Sequence, residues 1–254
     1  MRVKIYGSGG GEGLPANFCG CENCRRARSL GGKNRKTLAQ AVIDDTLLLE
    51  LNADTSRHVH EGLPLSEIGE LLVTHSHNDH LIPSILETRG SVYAQNMRYP
   101  VLRVTGNQTV TDKIEAEKKL FLDEVRAGVE TNTVKPWQKL TLGEYTVWTL
   151  GAMHAPEEEA LNYVISDGAK TVLCAWDTGF PTEQYFTYLS EQGVRLDGVI
   201  MDCTMGIRDE AWIYHMNIVK NGEMKKRLEQ QGVINPKCQF FASHFTHGNY
   251  TTHE

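Results

Sequence analysis

The chain has 254 residues, 26 lysines and arginines against 32 aspartates and glutamates, and a formal net charge of −6. Hydrophobic residues at 40% and charged residues at 23% describe a folded globular chain and not a disordered one. The acidic balance argues against a broad surface that tracks nucleic-acid phosphates. No apolar window approaches the roughly 18 residues a membrane span needs, and the N-terminus lacks the apolar core of a signal peptide. One domain over residues 1–254 and a cytoplasmic location are the expectations.

Residues 3–6 predict a strand that runs into Gly7-Ser8-Gly9-Gly10-Gly11-Glu12-Gly13. A dinucleotide-binding fingerprint starting at Gly7 requires glycine where Glu12 stands, and Pro15 follows where a helix should open, so that reading fails. Residues 14–36 are polar and basic, carry cysteines, and read as an insertion off the core. Residues 39–43 and 46–51, on either side of Asp44-Asp45, predict a β-hairpin. A buried strand follows at 71–74 and leads straight into a run of histidines. The start of a helix is expected at 81–87, with Pro83 in its first turn, and a strand at 101–105. Ile114, Leu120, Phe121 and Val125 stand at helical spacing and predict one amphipathic helix over 109–127.

The second half predicts strands at 139–142, 145–150, 161–165 and 171–175, a helix at 182–191, a strand at 196–202, a helix at 218–230 and a strand at 239–243. Strands followed by helices in each half imply two sheets packed face to face and flanked by helices. No linker or low-complexity tract divides the chain.

The 10 histidines and 6 cysteines are unevenly placed. Thr74-His75-Ser76-His77-Asn78-Asp79-His80 follows a strand. Alternating histidines leaving a strand aim His75 and His77 the same way, at one metal ion, while Asp79 and His80 turn to address a second. Imidazole and carboxylate suit Zn²⁺, Mn²⁺ and related divalent ions. Cys19, Cys21 and Cys24 lie within six residues of one another. With no export signal they read as a metal site and not as disulfides.

The motif His-x-His-x-Asp-His after a strand resembles the signature of the metallo-β-lactamase superfamily. The resemblance implies an α/β fold, the αββα four-layer sandwich. It also implies three later ligands, each at a strand end: His154 in Leu150-Gly-Ala-Met-His154, Asp177 in Ala175-Trp-Asp177-Thr-Gly, and His244 in Phe241-Ala-Ser-His244. One metal ion then falls to His75, His77 and His154, a second to Asp79, His80 and His244, and Asp177 is shared.

Three thiolates are one short of a closed zinc site. His247, three residues after His244, is the best candidate for the fourth ligand of a structural zinc. A Gly-rich first turn, the Cys-x-Cys-x-x-Cys knuckle followed by Arg25, Arg26 and Arg28, and the terminal His244-x-x-His247 together resemble the PhnP-type branch, phosphoribosyl cyclic phosphodiesterase-like enzymes of phosphonate breakdown. That branch implies one more strand after the last histidine pair, which would lie past Glu254. It also implies an active-site histidine at His215, as proton donor to the leaving group; a structural role is the alternative.

The implied activity is hydrolysis of a small phosphodiester, cyclic ones included, by hydroxide bridging two metal ions, with Asp79 at the centre. The competing readings are a transfer-RNA-processing-like nuclease, a lactonase or thioester hydrolase of the same fold, and a non-catalytic metal- or ligand-binding protein. A small-molecule substrate is expected, with no membrane or nucleic-acid partner and a homodimer as the candidate assembly. Asp202 either orients a metal-bound histidine or caps a loop. His58, His60 and His253 read as surface residues, and Cys174, Cys203 and Cys238 as small buried hydrophobes.

Overall fold

The computed structural model describes residues 1–208 and 212–249, and in them two six-stranded sheets face each other. The first sheet takes β1 (Val3–Gly7), β2 (Gln40–Ile43), β3 (Leu47–Leu49), β4 (Glu70–Leu72), β5 (Leu102–Gly106) and β6 (Val129–Thr133) in sequence order. It is antiparallel from β1 to β3 and parallel from β3 to β6. The second sheet runs in reverse order through β7 (Lys139–Leu142), β8 (Tyr145–Gly151), β9 (Leu161–Ser166), β10 (Thr171–Ala175), β11 (Leu196–Asp202) and β12 (Ile234–Ser243). It is antiparallel as far as β10, then parallel through β11 and β12.

Period-two alternation sorts the apolar residues into layers. Ile43, Leu47, Leu49 and Leu72 meet Val147, Tyr163 and Trp176 between the sheets. Leu48, Leu71 and Val104 point the other way. They pack under α3 (Gln108–Lys118) and α4 (Asp123–Ala127), which contribute Val110, Ile114 and Val125. On the far side Leu173, Val199 and Met201 pack under α5 (Glu183–Glu191) and α6 (Ile218–Gln230), through Phe186, Leu189, Met224 and Leu228. The result is the expected αββα sandwich. Strands covered on both faces read as unbroken apolar runs such as Leu47-Leu48-Leu49, all buried. Shortening Leu72 to alanine here would cost about 2–5 kcal/mol.

Several expectations need correction. The single helix over 109–127 is two, because Lys119–Leu122 forms a break from which Phe121 turns into the core while Leu120 and Leu122 stay exposed. The segment after the histidines is a 3-10 helix, Pro83–Arg89. β6 was not expected; its Val129 is its one fully buried side chain. The insertion expected at residues 14–36 carries α1 (Glu22–Leu30) and an apolar cluster of its own, Leu14, Ala16, Cys24 and Ala27.

His58, expected at the surface, is buried on α2 (Thr55–His60), whereas His60 is exposed as expected. Cys174 and Cys203 are buried, but Cys238 is only partly so. His253 lies outside the described residues. No helix among the described residues is long and apolar enough to cross a membrane.

Candidate metal centre

Strands β8, β10, β11 and β12 run in one direction, so their C-terminal ends share one edge of the second sheet. Carboxyl ends of parallel strands are where ligands bind in open α/β sheets. His154, Asp177, Asp202 and His244 all stand at or just beyond these ends, facing the loop that follows β4. Asp177 and His244 adopt left-handed backbone, with φ of 49° and 61°, a strained state of the kind found at functional sites. Gly10 passes so close that a Cβ there would sit 3.3 Å from the His244 ring.

Asp177 Oδ2 is the hub. It lies 3.3 Å from His75 Nε2, 3.1 Å from His154 Nε2, 3.2 Å from His80 Nε2 and 3.7 Å from His244 Nε2. His154 Nε2 is 3.4 Å from His77 Nδ1, and His244 Nε2 is 3.3 Å from His80 Nε2. Asp79 Oδ2 approaches His80 Nε2 at 3.0 Å and His244 Nε2 at 3.6 Å. The side chains thus form two groups, His75/His77/His154/Asp177 and Asp79/His80/Asp177/His244, meeting at one carboxylate.

These spacings fit divalent ions. With ligand bonds of about 2.0–2.1 Å, the edge of a tetrahedron of ligands is roughly 3.4 Å. His75 Nε2 and Asp177 Oδ1 are buried without a well-aligned hydrogen bond among the described residues, their polar neighbours being Asp177 Oδ2 at 3.3 Å and His215 Nδ1 at 3.0 Å, an environment that fits metal ligation.

Supporting residues fix the rings. Asp202 accepts from the Thr204 and Met216 amides at 3.1 and 2.8 Å, and from the Thr204 hydroxyl at 2.7 Å. That hydroxyl is 2.9 Å from His244 Nδ1. A hydroxyl that donates to Asp202 accepts from Nδ1–H, which leaves Nε2 free to face the centre. Asp202 therefore fills both roles open to it in the sequence, loop cap and histidine orienter.

Glu50 does the same for His80 at 3.3 Å, while accepting from the Thr74 hydroxyl at 2.8 Å. Sequence reasoning missed Glu50, although a carboxylate inside Leu47-Leu48-Leu49-Glu50-Leu51 was a signal. Glu158 was missed too; it accepts from the Ser76 amide and hydroxyl and from Asn107, and so pins the histidine loop.

Electrostatics follow from this packing. Burial and the neighbouring His80 push His75 down to about 3, so it is neutral. Burial opposes charge on Asp79, but His80 and His244 outweigh it and hold the carboxyl well below its ordinary range. His215 Nδ1 lies 3.0 Å from Asp177 Oδ1 and 3.3 Å from Asp202 Oδ2, with its ring 5.1 Å from that of His154. Burial works against its protonation, yet the two carboxylates raise it to about 10. The expected proton donor thus stands beside the centre.

Cys19, Cys21, Cys24 and His247 also converge. His247 Nδ1 is 3.6 Å from Cys21 Sγ and 3.4 Å from Cys24 Sγ, and all six cysteines of the chain are free thiols. Cys21 caps α1, and the Cys24 amide and His247 lower its thiol to about 6, while burial pushes Cys24 up to about 11. Asn23 Nδ2 donates to the His247 carbonyl at 2.7 Å, and Glu12 accepts from the His247 amide at 3.0 Å. The pairing inferred from spacing is a spatial cluster with donors suited to Zn²⁺.

Residues 36–235 match the model of the β-lactamase superfamily domain, and the chain belongs to that superfamily. Its fold is similar to that of a diphosphatase from the PhnP family, at a TM-score of 0.72 and 18% identity over 99% of this chain and 88% of that one. It is also similar to Zn²⁺-bound PqqB from Methylobacterium extorquens, at a TM-score of 0.71 and 15% identity over 98% of this chain and 90% of that one. A short stretch of 42 residues is 43% identical to coenzyme PQQ synthesis protein B of Bradyrhizobium diazoefficiens, 16% of this chain and 14% of that protein.

Proposed function

We propose that the protein is a dinuclear metal-dependent phosphodiesterase acting on a small phosphodiester, cyclic ones included. The observation that carries this reading is the pair of four-residue groups sharing Asp177 Oδ2, with His215 alongside. His75, His77 and His154 would hold one ion, Asp79, His80 and His244 the other, and Asp177 both. Bound there, two divalent ions supply Lewis acidity and a water acidic enough to be hydroxide near neutrality. Asp79 and Asp177 bring only two negative charges to offset about four positive ones, so a phosphate anion is attracted to the centre. His215, cationic at neutral pH, lends its proton to the departing alkoxide and is held in place by Asp202. The Cys19/Cys21/Cys24/His247 cluster is read as a structural zinc site.

The test is turnover of bis(p-nitrophenyl) phosphate by protein loaded with Zn²⁺ or Mn²⁺, followed by cyclic nucleotides, cyclic ribose phosphates and lactones. Activity on phosphodiesters is expected. Fully metallated protein that cleaves lactones or thioesters but no phosphodiester would overturn the reading. The 42-residue match to coenzyme PQQ synthesis protein B favours a second reading, a step in coenzyme PQQ synthesis.

A further inference from the structure

The outer face of the first sheet is covered unevenly. Helices α3 and α4 lie over β5 and β6, whereas β3 and β4 are roofed by the 3-10 helix Pro83–Arg89 and an irregular stretch over 90–101. Under that roof lies a cavity of about 320 Å³, at the small end of the range for ligand sites. Its floor is apolar: Leu48, Leu51, Ile68, Leu71 and Leu102 line it, all buried side chains of the core.

Arg89, the last residue of the 3-10 helix, is the single charged residue in the lining among the described residues. Its Nη2 donates to the Tyr99 carbonyl at 3.0 Å and to the Pro100 carbonyl at 3.5 Å, which holds the guanidinium in place without neutralising it. Its Nε is buried and has no hydrogen-bond partner among the described residues. The acids on neighbouring elements are engaged elsewhere, Glu67 with Arg98 at 3.8 Å and Glu124 of α4 with the Ser91 amide at 2.9 Å. Glu87 is exposed and makes no ion pair with Arg89. Burial pulls the Arg89 pKa below its ordinary value, as it does for a cation without a counter-ion.

A guanidinium partly withdrawn from water gains from an anion brought to it, and an apolar floor gains from a hydrocarbon laid on it. One cation beside such a floor suits a guest with an apolar tail and a single negative charge. An alkyl phosphate carries about −1.5 to −2 near neutrality, more than one guanidinium offsets. We infer that this cavity binds a medium-chain monocarboxylate, its tail on Leu48, Leu51, Ile68 and Leu71 and its carboxylate on Arg89. None of the lining residues belongs to either ligand group of the metal centre, so the site stands whatever that centre hydrolyses.

The experiment is calorimetric titration of the metal-loaded full chain with butanoate, hexanoate, octanoate and 1-octanol. Affinity should rise about threefold with each added methylene from butanoate to octanoate. A carboxylate held only by the metal ions would show no such dependence. Octanoate should bind at least about tenfold more tightly than 1-octanol, the contribution of a charge-assisted hydrogen bond. That advantage should vanish in Arg89→Gln. Arg89→Gln also loses the contacts to Tyr99 and Pro100, so a second variant, Ala94→Trp, fills the cavity from its lining and leaves Arg89 intact. It should weaken octanoate binding at least about tenfold, the same factor as the lost charge contact. No detectable octanoate binding, affinity indifferent to chain length, 1-octanol binding as tightly as octanoate, or octanoate binding unchanged in either variant overturns the inference.

Discussion

Cys24 Sγ stands 3.4 Å from Nδ1 of His247, on the same short loop that carries His244 into the metal centre. The loop is pinned twice more, by Glu12 on the His247 amide and by the Phe245 carbonyl accepting from the Gly10 amide at 3.0 Å. The knuckle therefore braces one ligand of the centre from behind. If the cluster holds the structural zinc proposed above, Cys24→Ala should reduce bound metal by one ion per chain or more. Elemental analysis reads that directly. It should also lower Tm by more than about 5 °C, because a structural metal contributes folding energy, and weaken the site holding His244 by about tenfold, the usual effect of losing an outer support. Undiminished metal content would remove zinc from the knuckle.

His215 faces Asp177 and Asp202 but belongs to neither four-residue group that meets at Asp177 Oδ2. On the function proposed above, a residue placed this way acts on the leaving group, although with Asp177, Asp202 and His244 it also forms a further cluster able to hold a metal ion. In His215→Gln, kcat should fall by about 10²–10⁴ for esters of aliphatic alcohols, which need a proton to depart. It should fall far less for p-nitrophenyl esters, whose leaving group departs as a stable anion. Metal content should stay at the wild-type level. Equal losses for both ester classes would assign His215 a structural role.

How much of this was legible in the chain depended on how local each signal was. Four candidate ligands within His75–His80 announced themselves because strand periodicity and ligand chemistry coincide over six residues. His154, Asp177 and His244 are single residues at strand ends, and only the family resemblance joined them in advance. Glu50 and Glu158 escaped because their partners, His80 and Ser76, are far along the chain and no spacing rule links them. His58 was misread for the converse reason: isolated histidines are usually exposed, and nothing local betrays that Gln40 and Thr37 enclose this one. The break at Lys119–Leu122 was hidden by an apolar spacing that continues across it.

That misreading gives a pH-dependent prediction away from the metals. His58 Nδ1 lies 2.5 Å from Gln40 Oε1 and Nε2 lies 2.8 Å from the Thr37 hydroxyl, so the neutral ring is satisfied in a buried site. Burial holds its pKa below the ordinary value, with Asp54 opposing only in part. In the unfolded chain the imidazole titrates near about 6.5. Above that pH neither state carries the proton and the full stability is present. As pH falls below it, the unfolded chain takes up a proton that the folded chain refuses, and stability drops by up to about 1.4 kcal/mol per pH unit. His58→Gln should be less stable at pH 8 yet show a shallower loss between pH 6.5 and 5. Urea titrations of both proteins across that range measure the difference, and parallel curves would mean that His58 takes up its proton alike in the folded and unfolded chain.

Tyr163 links the two sheets at the point where the centre begins. Its hydroxyl, on β9, donates to the Val73 carbonyl at 2.7 Å, and the Leu161 amide donates to the Thr74 carbonyl at 2.9 Å, so β9 holds the stretch leading into His75. All of these residues are buried. Tyr163→Phe keeps the ring and its packing but leaves the Val73 carbonyl without its hydroxyl donor. The cost should be about 1–2 kcal/mol, that of a buried acceptor left unpaired. Because the freed segment carries His75 and His77, metal affinity should weaken along with stability, whereas a core substitution remote from this link, such as Leu48→Ala, should lower stability and leave metal affinity in place. Chelator competition beside chemical denaturation separates the two. If Tyr163→Phe matched Leu48→Ala in leaving metal affinity unaltered, the hydroxyl would contribute to the fold alone and the histidine loop would be positioned by Glu50 and Glu158.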